Sequence, residues 1–479
     1  MSVDLAERVH NHNYRLDPFV RSLLDTDFYK LLMAYYVWRW HPEVVVTFTL
    51  KIRTRGVALQ DIASEEDLRA QLDHVRSLRF TNTELVWLQG NTFYGQKNIF
   101  PPEFIAHLRD LRLPDYDLRR DEAGDLSLSF TGPWGAVMFW EVPGLAIVNE
   151  ARARAAMAGM SRYELRVLYA SATTKLVGKL KSLKEAGVPR ISEFGTRRRH
   201  GFLWQEFVIE AMREELGENF FGTSNALHAM RQGIEAVGTN AHELPMVTAA
   251  LARIAARSEA YPLEDLHKHE ARARDALFAS QYEVLRRWES TFRGNLLVAL
   301  PDTFGSTQFL NNALENFPQI RNWSGFRIDS KEPMDAACEI MNFWDTAGVN
   351  PEEKLMLFSD GLDDGDMIYL HRLFGDYHKV RDAYGWGTLA TNDFRGCDPR
   401  QGSVLNPFSE FSGPSVSRAN PLDPISVVCK VTEVSTTEGR VSAVKLSDNY
   451  EKATGDAGEI AAYREVFGTE GVANAPVIV

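Results

Sequence analysis

The sequence has 479 residues, of which 44% are hydrophobic and 25% charged, a balance typical of globular proteins with ample apolar surface to bury. This length exceeds one ordinary hydrophobic core and predicts two or three domains. The formal net charge of −12 argues against a nucleic-acid or anionic-membrane partner. Three widely spaced cysteines without a C-x-x-C pair argue against a disulfide framework or a zinc site. Because we find no secretory signal and no membrane-spanning run, we predict a cytoplasmic protein.

Residues 1–140 predict an N-terminal α+β domain. Residues 27–40 form an apolar helix candidate that Asp25 or Thr26 could cap. Residues 46–53 alternate apolar and polar side chains, as do residues 126–130, which indicates half-buried strands. Strands with one polar face favour an antiparallel sheet covered by helices.

Residues 141–395 predict an irregular α/β barrel of the TIM type. Short strand-like runs in this region end in polar residues or glycine: PRISEFGT, GIEAVGT, NLLVALPDT, GFRIDS, KLMLFSDG and DAYGWGT. The later runs recur about every 30 residues, the length of a βα unit. In such a barrel the loops at the carboxyl ends of the strands hold the ligand.

Residues 396–479 form a third segment. The stretch 394–424 is rich in Pro, Ser, Gly and Asn and indicates a long loop, to which we assign no role. The runs ISVVCKVTEV and GRVSAVKLSD then predict a hairpin, followed by a helical tail.

Three arginines follow a strand end in EFGTRRRH, residues 193–200. Guanidinium groups match phosphate oxygens, although a solvated basic turn is the alternative for a bare arginine triplet. The loops GTSN, GT and GWGT add glycines that let backbone N–H groups approach phosphate. Each loop alone is common in turns, but together they favour an anion site.

Two further motifs carry charged side chains. Arg327 and Asp329 lie two residues apart on a strand and hence on one face. Such an arginine suits an anionic group and such an aspartate suits sugar hydroxyls or hydrated Mg²⁺, with a buried ion pair as the alternative. Asp360 in FSDGLDDGD holds a similar position. His242 in GTNAHELPM is a packed structural residue or a catalytic one, since no second ligand supports a metal site there.

Taken in chain order, ten stretches of the sequence resemble motifs of the nicotinate phosphoribosyltransferase family. The resemblance includes DTDFYKLLMAYYVW, GPWGAVMFWEVPGLAIVNE, SEFGTRRRH, GTSNALHA, GTNAHE, FRIDS, FSDGLD, GWGTLATND, ISVVCKVTEV and AVKLSD. It implies the α/β barrel together with an open-faced α+β sandwich domain that the N-terminal zone and the returning C-terminal strands build. It also implies a homodimer with sites at the subunit interface.

The resemblance further implies an activity in NAD salvage. Nicotinate and phosphoribosyl pyrophosphate would give nicotinate mononucleotide and pyrophosphate, with Mg²⁺ held through the phosphates rather than by a protein motif. His242 matches the family histidine that ATP phosphorylates, and Arg197 would serve catalysis and bind the diphosphate. The remaining implied positions are, for nicotinate, Tyr29 (reaching across from the partner subunit), Phe194, Ser224, Thr239 and Arg327, and, for phosphoribosyl pyrophosphate, Asp329, Asp360, Gly387 and Thr388.

Ser224 bears on the choice of base. Relatives that use nicotinamide carry an aspartate at this position, so a neutral serine favours the anionic nicotinate; capping of the next helix is the alternative role. Lys331 and Glu332 depart from the Gly-Asp of many family members, and we leave both unassigned. The alternative functions are a barrel enzyme acting on another phosphorylated sugar, a nicotinamide-using relative and a non-catalytic homologue.

Overall fold

The computed structural model describes residues 18–120, 122, 124–258, 266–401 and 420–474. The first part of the chain alternates helices with strands of an antiparallel sheet. Its elements are α1 (Phe28–Trp40), β1 (Val45–Ile52), α2 (Leu59–Ile62), α3 (Glu65–Ser77), α4 (Asn82–Gly90), β2 (Thr92–Phe93), β3 (Gln96–Lys97), α5 (Pro102–Asp110), β4 (Tyr116–Arg120), β5 (Leu126–Pro133), α6 (Trp134–Val137) and α7 (Glu141–Met157).

Helix α1 confirms the predicted apolar helix. Every residue from Phe28 to Val37 is buried, so α1 is enclosed on all faces instead of resting one face on a surface. The predicted caps are wrong, because the N-cap position belongs to Asp27 and no side chain caps the helix there. Asp25 instead accepts hydrogen bonds from Arg199 and Asn225.

A five-stranded antiparallel sheet joins the two ends of the chain. Its C-terminal members are β13 (Val427–Thr436) and β14 (Gly439–Ser442), which form the predicted hairpin. The strand order is β14-β13-β1-β5-β4, so β13 pairs with β1 near the other end of the sequence. The predicted helical tail is Ala457–Phe467.

The middle of the chain builds a seven-stranded parallel sheet of order β8-β7-β6-β12-β11-β10-β9. Its elements are α8 (Arg162–Glu185), β6 (Ile191–Glu193), α9 (Phe202–Leu216), β7 (Phe220–Thr223), α10 (Ala226–Gln232), β8 (Glu235–Ala236), α11 (Glu243–Ser258), α12 (Leu266–Thr291), β9 (Val298–Ala299), α13 (Ser306–Asn316), β10 (Gly325–Ile328), α14 (Pro333–Thr346), β11 (Leu355–Phe358), α15 (Asp364–Leu370), β12 (Arg381–Trp386) and α16 (Thr388–Thr391).

The parallel sheet confirms the predicted α/β class, but its strand order is open. The edge strands β8 and β9 have two residues each, and within the described ranges they do not pair with each other. A side-chain contact spans this gap instead: Asn240 Nδ2 donates to the Val298 carbonyl at 3.1 Å. Strand β7 was not predicted, because its four residues carry too short an apolar run to register as a strand.

Two further predictions are not tested by the described residues: the long loop and the domain boundaries. Most of the long loop predicted at 394–424 falls outside the described residues, since 402–419 are not among them. The domain boundaries at residues 140 and 395 stay predictions. Across the described ranges, no helix combines the length and the apolar character needed to cross a membrane.

Candidate active site

Two neighbouring cavities lie where the parallel strands end. The first, the aromatic cavity, has a volume of about 410 Å³ and is lined by Asp27, Tyr29, Tyr94, Phe194, Arg197, Ser224, Val237, Gly238, Thr239, Arg327 and Leu357. The second, the histidine cavity, has a volume of about 510 Å³ and is lined by Tyr29, Phe48, Glu141, Arg197, Ala241, His242, Glu243, Met246, Arg327, Asp329, Cys429, Lys430 and Val431. Three residues are common to both: Tyr29, Arg197 and Arg327.

The aromatic cavity contains all five residues that the sequence assigned to the base: Tyr29, Phe194, Ser224, Thr239 and Arg327. Phe194 reaches the cavity from the end of β6, and its backbone N–H donates to the Trp386 carbonyl at 2.8 Å. A Cβ at Gly385 would lie 2.4 Å from the Phe194 ring, so a side chain there would displace the ring. Gly385, the first glycine of GWGT, therefore leaves the space that the Phe194 ring occupies.

Tyr29 lies in the cavity of its own chain. The Phe28 N–H donates to the Ser224 carbonyl, which places the start of α1 against the parallel sheet. A Cβ at Gly238 would lie 2.6 Å from the Tyr29 nitrogen, so only glycine permits this approach. Within this chain Tyr29 therefore lines its own cavity and α1 is held on the sheet by contacts within the chain, whereas the resemblance implies that Tyr29 reaches across from a partner subunit.

The three consecutive arginines have three different environments. Arg197 is 35% exposed, lines both cavities and forms an ion pair with Asp27, with 3.0 Å between Nε and Oδ2. Arg198 approaches the Thr388 hydroxyl at 3.5 Å. Arg199 is fully buried and pairs with Asp25 at 2.7 Å. The prediction of a phosphate-binding triplet is therefore wrong for Arg199, which holds the fold together.

Ser224 faces a carboxylate that the sequence did not reveal. Its hydroxyl donates to Asp27 Oδ1 at 2.7 Å. The cap of α10 is the neighbouring Asn225, whose side chain accepts from the His228 N–H. Ser224 is therefore not the helix cap, and the loop that was predicted to be neutral lies beside a carboxylate whose charge Arg197 balances.

His242 is engaged through both ring nitrogens. Nδ1 lies 3.0 Å from the Thr303 hydroxyl, while Nε2 lies 2.9 Å from Lys445 Nζ and 3.2 Å from Asp329 Oδ2. Asp302 Oδ2 lies 3.7 Å from the same Nε2. Burial lowers the pKa of His242, and Lys445 lowers it further against the opposite effect of the two carboxylates. The ring is therefore held in place and kept neutral at pH values where free histidine begins to charge.

Glu243 does not orient His242. Its carboxylate instead binds the fully buried Lys30 and the indole of Trp134. Lys30 also pairs with Glu141, and the Tyr29 hydroxyl donates to that carboxylate at 3.3 Å. This ion-pair cluster connects helix α1 to the segment that follows His242.

Arg327 and Asp329 form the ion pair that was the alternative to ligand binding. Arg327 Nη2 donates to Asp329 Oδ2 at 2.7 Å and Nε donates to the Ser359 hydroxyl at 3.1 Å. Burial alone would raise the pKa of Asp329, but Arg327, His242 and Lys445 together hold it well below its usual range. Both side chains nonetheless line the histidine cavity. The ion pair can therefore stabilise the fold and also contact a ligand that enters the cavity.

The other residues predicted to bind phosphoribosyl pyrophosphate lie outside both cavities. Asp360 pairs with Lys452 and has a left-handed backbone, with φ of 71°. Thr388 begins helix α16 directly after Gly387 and contacts Arg198. The Gly387–Thr388 turn therefore contacts Arg198, the neighbour of Arg197 in the sequence. Arg197 lines both cavities, but Gly387 and Thr388 line neither.

The departure at residues 331 and 332 has a structural explanation. The Glu332 side chain accepts from the Asp335 N–H at 3.0 Å and caps helix α14. Lys331 donates to the Thr307 hydroxyl at 3.0 Å and pairs with Glu339 on the same helix. Both side chains therefore stabilise the start of α14.

Sequence reasoning missed several side chains at the site. Asp302 and Thr303 end the run NLLVALPDT, and Lys445 lies in AVKLSD, so both motifs were seen but their residues were not singled out. Asp27 and Glu141 also lie in quoted motifs and line a cavity. Their importance follows from contacts between distant parts of the chain, which no local pattern reports.

The fold and the two cavities define an α/β protein with an aromatic and cationic ligand site at the carboxyl ends of a parallel sheet. A sequence profile described as the nicotinate phosphoribosyltransferase N-terminal domain matches residues 24–149, and the profile of the nicotinate phosphoribosyltransferase family matches residues 189–407. The chain belongs to the nicotinate phosphoribosyltransferase family.

Solved structures share the fold of this chain. The chain is similar to nicotinate phosphoribosyltransferase from Vibrio cholerae, with 26% identity, 96% of each chain covered and a TM-score of 0.74. The enzyme of that name from Porphyromonas gingivalis is 23% identical, with 94% of this chain and 100% of that chain covered and a TM-score of 0.74. A putative nicotinate phosphoribosyltransferase from Saccharomyces cerevisiae is 24% identical, with 95% and 99% covered and a TM-score of 0.71.

Proposed function

We propose that this chain transfers the phosphoribosyl group of phosphoribosyl pyrophosphate to the ring nitrogen of nicotinate. Pyrophosphate leaves, and ATP is hydrolysed through phosphorylated His242. The observation that carries the proposal is the convergence of the five base-assigned residues on the aromatic cavity, directly beside the cavity of His242. Tyr29, Arg197 and Arg327 line both cavities, which supports one continuous site for the base, the sugar phosphate and the phosphoryl acceptor.

Nicotinate would occupy the aromatic cavity between Phe194 and Tyr29. Arg327 uses Nη2 and Nε for Asp329 and Ser359, which leaves the Nη1 hydrogens for the substrate carboxylate. The Ser224 hydroxyl has one hydrogen and gives it to Asp27, so its contribution to the choice of base is to occupy that carboxylate. An aspartate at 224 would place a second carboxylate there and repel nicotinate.

Phosphoribosyl pyrophosphate would bind across both cavities. Arg197 is exposed enough to meet the diphosphate, and Asp329 can accept from ribose hydroxyls. The nicotinate nitrogen attacks the anomeric carbon as the bond to pyrophosphate breaks, and fixed cations stabilise the charge that accumulates on the leaving group. Stacking between aromatic walls also fixes the angle of attack, which contributes several kcal/mol in well-oriented reactions, on the order of 7–11 at the upper end.

The carboxylates of the site fit a Mg²⁺ ion that the substrate phosphates carry. Asp302 is buried and its Oδ1 has no hydrogen-bond partner within the described ranges, while Asp329 faces the histidine cavity. Both provide the hard oxygen atoms that Mg²⁺ prefers. When bound, the ion would neutralise charge on the diphosphate.

His242 would accept the γ-phosphoryl group of ATP. A neutral imidazole is the nucleophilic form, and the lowered pKa favours it at pH 7. Lys445 contacts the ring, so its ammonium can balance phosphate charge, whereas Lys430 lines the same cavity and burial lowers its pKa well below the usual value. Hydrolysis of the phosphorylated histidine would then drive the transfer toward the mononucleotide.

We further propose the larger-scale arrangement that the family implies. The antiparallel sheet and its helices would form the open-faced sandwich domain, residues 1–140 with part of 396–479, and residues 141–395 would form the barrel. The pairing of β13 with β1 supports this division. Assembly as a homodimer in the cytoplasm belongs to the same proposal.

Product analysis tests the proposed reaction. The protein is incubated with phosphoribosyl pyrophosphate, ATP and Mg²⁺ and with either nicotinate or nicotinamide, and each mononucleotide is quantified. We expect nicotinate mononucleotide, and a Ser224→Asp variant that loses nicotinate turnover while Ser224→Ala retains most of it. No mononucleotide from nicotinate would contradict the function, and comparable kcat/KM for the two bases would contradict the selectivity.

A further inference from the structure

A small hairpin outside both main sheets supplies one wall of the aromatic cavity. Strands β2 and β3 pair with a two-residue turn, Tyr94-Gly95. Both turn residues have positive φ, 52° and 75°, as a type I′ turn requires. Such turns favour Asn-Gly, and a bulky tyrosine in the left-handed region is an uncommon and costly choice. The position therefore suggests that the Tyr94 side chain has a role that outweighs this cost.

The Tyr94 hydroxyl binds one residue twice. It accepts from the Gly238 N–H at 2.7 Å and donates to the Gly238 carbonyl at 2.9 Å. Gly238 opens the loop that carries Thr239 and His242, and the Tyr29 backbone also packs closely against it. Tyr94 and Tyr29 therefore hold the first residue of this loop from two elements that lie far away in sequence.

The hairpin is itself fixed to the parallel sheet. The Tyr94 N–H donates to Glu235 Oε1 at 2.9 Å, and Glu235 begins strand β8. Tyr94 lines the aromatic cavity, and the centroid of its ring lies 6.3 Å from that of the exposed Phe221 ring. The tyrosine is thus both a wall of the base site and an anchor of the adjoining loop.

We propose that Tyr94 is a specificity-determining residue: its ring limits the size of the pyridine carboxylate that the aromatic cavity accepts, and its hydroxyl positions loop 238–242. The inference rests on the proposed function, because it takes the base as the ligand of this cavity. Its two parts concern different atoms of one side chain, so two variants separate them.

The size limit is tested with Tyr94→Ala. Wild type and variant are titrated by calorimetry with nicotinate and with nicotinates that carry one ethyl group at ring carbon 4, 5 or 6. We expect the variant to improve the affinity for at least one substituted base, relative to nicotinate, by about tenfold, because removing the ring removes one wall of the cavity. Equal discrimination by the two proteins would overturn the size limit.

The loop role is tested with Tyr94→Phe, which keeps the ring and deletes the hydroxyl. Tyr282→Phe is the matched control, since the Tyr282 hydroxyl donates to the Phe309 carbonyl at 2.8 Å and lines neither cavity. We expect faster amide hydrogen exchange across residues 238–242 in Tyr94→Phe alone. We also expect a KM for nicotinate about 5-fold higher with little change in kcat, the size of effect that losing the two neutral hydrogen bonds to Gly238 can give.

The outcomes separate the inference from the function it rests on. Unchanged exchange across 238–242 in Tyr94→Phe would overturn the loop role whatever the ligand. If wild type binds nicotinate and neither variant behaves as expected, only the inference fails. If wild type binds no nicotinate, the proposed function fails and the size limit fails with it, while hydrogen exchange still decides whether Tyr94 holds the loop.

Discussion

The imidazole of His242 lies between an ammonium group and two carboxylates. Burial and Lys445 lower its pKa, and Asp302 and Asp329 raise it without reversing the net effect. The sign matters because only the neutral ring is nucleophilic. A lowered pKa extends phosphoryl transfer to pH values below the ordinary value of 6.5.

Replacing Lys445 changes this balance in a known direction. Lys445→Met removes the ammonium 2.9 Å from Nε2, so the pKa of His242 rises and the acid limb of the ATP-dependent rate moves to higher pH. The measurement is kcat against pH for wild type and variant. Lys354→Met is the control, because Lys354, directly before β11, donates to the carbonyls of Arg321 and Trp323 ahead of β10. An acid limb that does not move would contradict the electrostatic account.

Neighbouring arginines should respond differently to the same substitution. Arg197→Ala removes a charged contact to the diphosphate and should weaken phosphoribosyl pyrophosphate by about 1.5–3 kcal/mol, roughly 10-fold to 150-fold in Kd, with a smaller loss of stability because Asp27 keeps the hydrogen bond from Ser224. Arg199→Ala leaves Asp25 buried without its partner and should destabilise the protein by about 3–5 kcal/mol. Calorimetric titration and chemical denaturation measure the two effects. Equal behaviour of both variants in both assays would contradict the distinction.

At the scale of elements, the end of β6 carries a buried carboxyl. Burial raises the pKa of Glu193 to about 7, against the hydrogen bonds donated by Thr223, Gly195 and Gln205. Gly195 and Thr223 adjoin Phe194 and Ser224, while Gln205 lies in helix α9. Glu193 therefore connects two loops of the aromatic cavity through one side chain.

This raised pKa predicts how stability depends on pH. The folded protein binds a proton more tightly than the unfolded chain, so its contribution to stability is greatest below pH 4.5 and declines as the pH rises to about 7. Relative to Glu193→Gln, wild type should lose about 3 kcal/mol of unfolding free energy over that interval. Denaturation curves of both proteins from pH 4.5 to 8 provide the test, and a constant difference between them would contradict it.

Elements with a clear local period were predictable. Alternation located β1 within one residue of its bounds, and a continuous apolar run located α1. Neither pattern could distinguish Arg197 from Arg199, because their environments come from Asp27 and Asp25, which lie 170 and 174 residues earlier in the chain. The open strand order was equally hidden, since it depends on the lengths of β8 and β9.

At the scale of the whole molecule, the site was predicted in part. The base-assigned residues do line one cavity, whereas Asp360, Gly387 and Thr388 lie outside it. Lys445 reaches His242 from a C-terminal segment that β13 brings back to β1, a contact that spans 203 residues. Motif order could indicate which segments matter, but pairing between chain ends decides which side chains meet.

Tyr29 and His242 lie in one chain, so mixing two inactive variants should not restore activity. Tyr29→Ala and His242→Ala each inactivate the site of their own chain. When the two variants are denatured and refolded together, the activity of the mixture should equal that of the separate variants. The measurement is ATP-dependent mononucleotide formation after mixing. If the tyrosine crossed to a partner, a mixed dimer would contain one intact site, and recovered activity would therefore contradict the arrangement within one chain.

The ratio of ADP to nicotinate mononucleotide shows whether ATP cleavage passes through His242. Wild type and His242→Ala are supplied with nicotinate, phosphoribosyl pyrophosphate, ATP and Mg²⁺, and both products are quantified over time. We predict a fixed ratio for wild type and, for the variant, slow mononucleotide formation without nicotinate-dependent ADP release, since the binding groups remain. A His242→Ala variant that still couples ATP cleavage to mononucleotide formation at the wild-type ratio would show that His242 is not the phosphate acceptor.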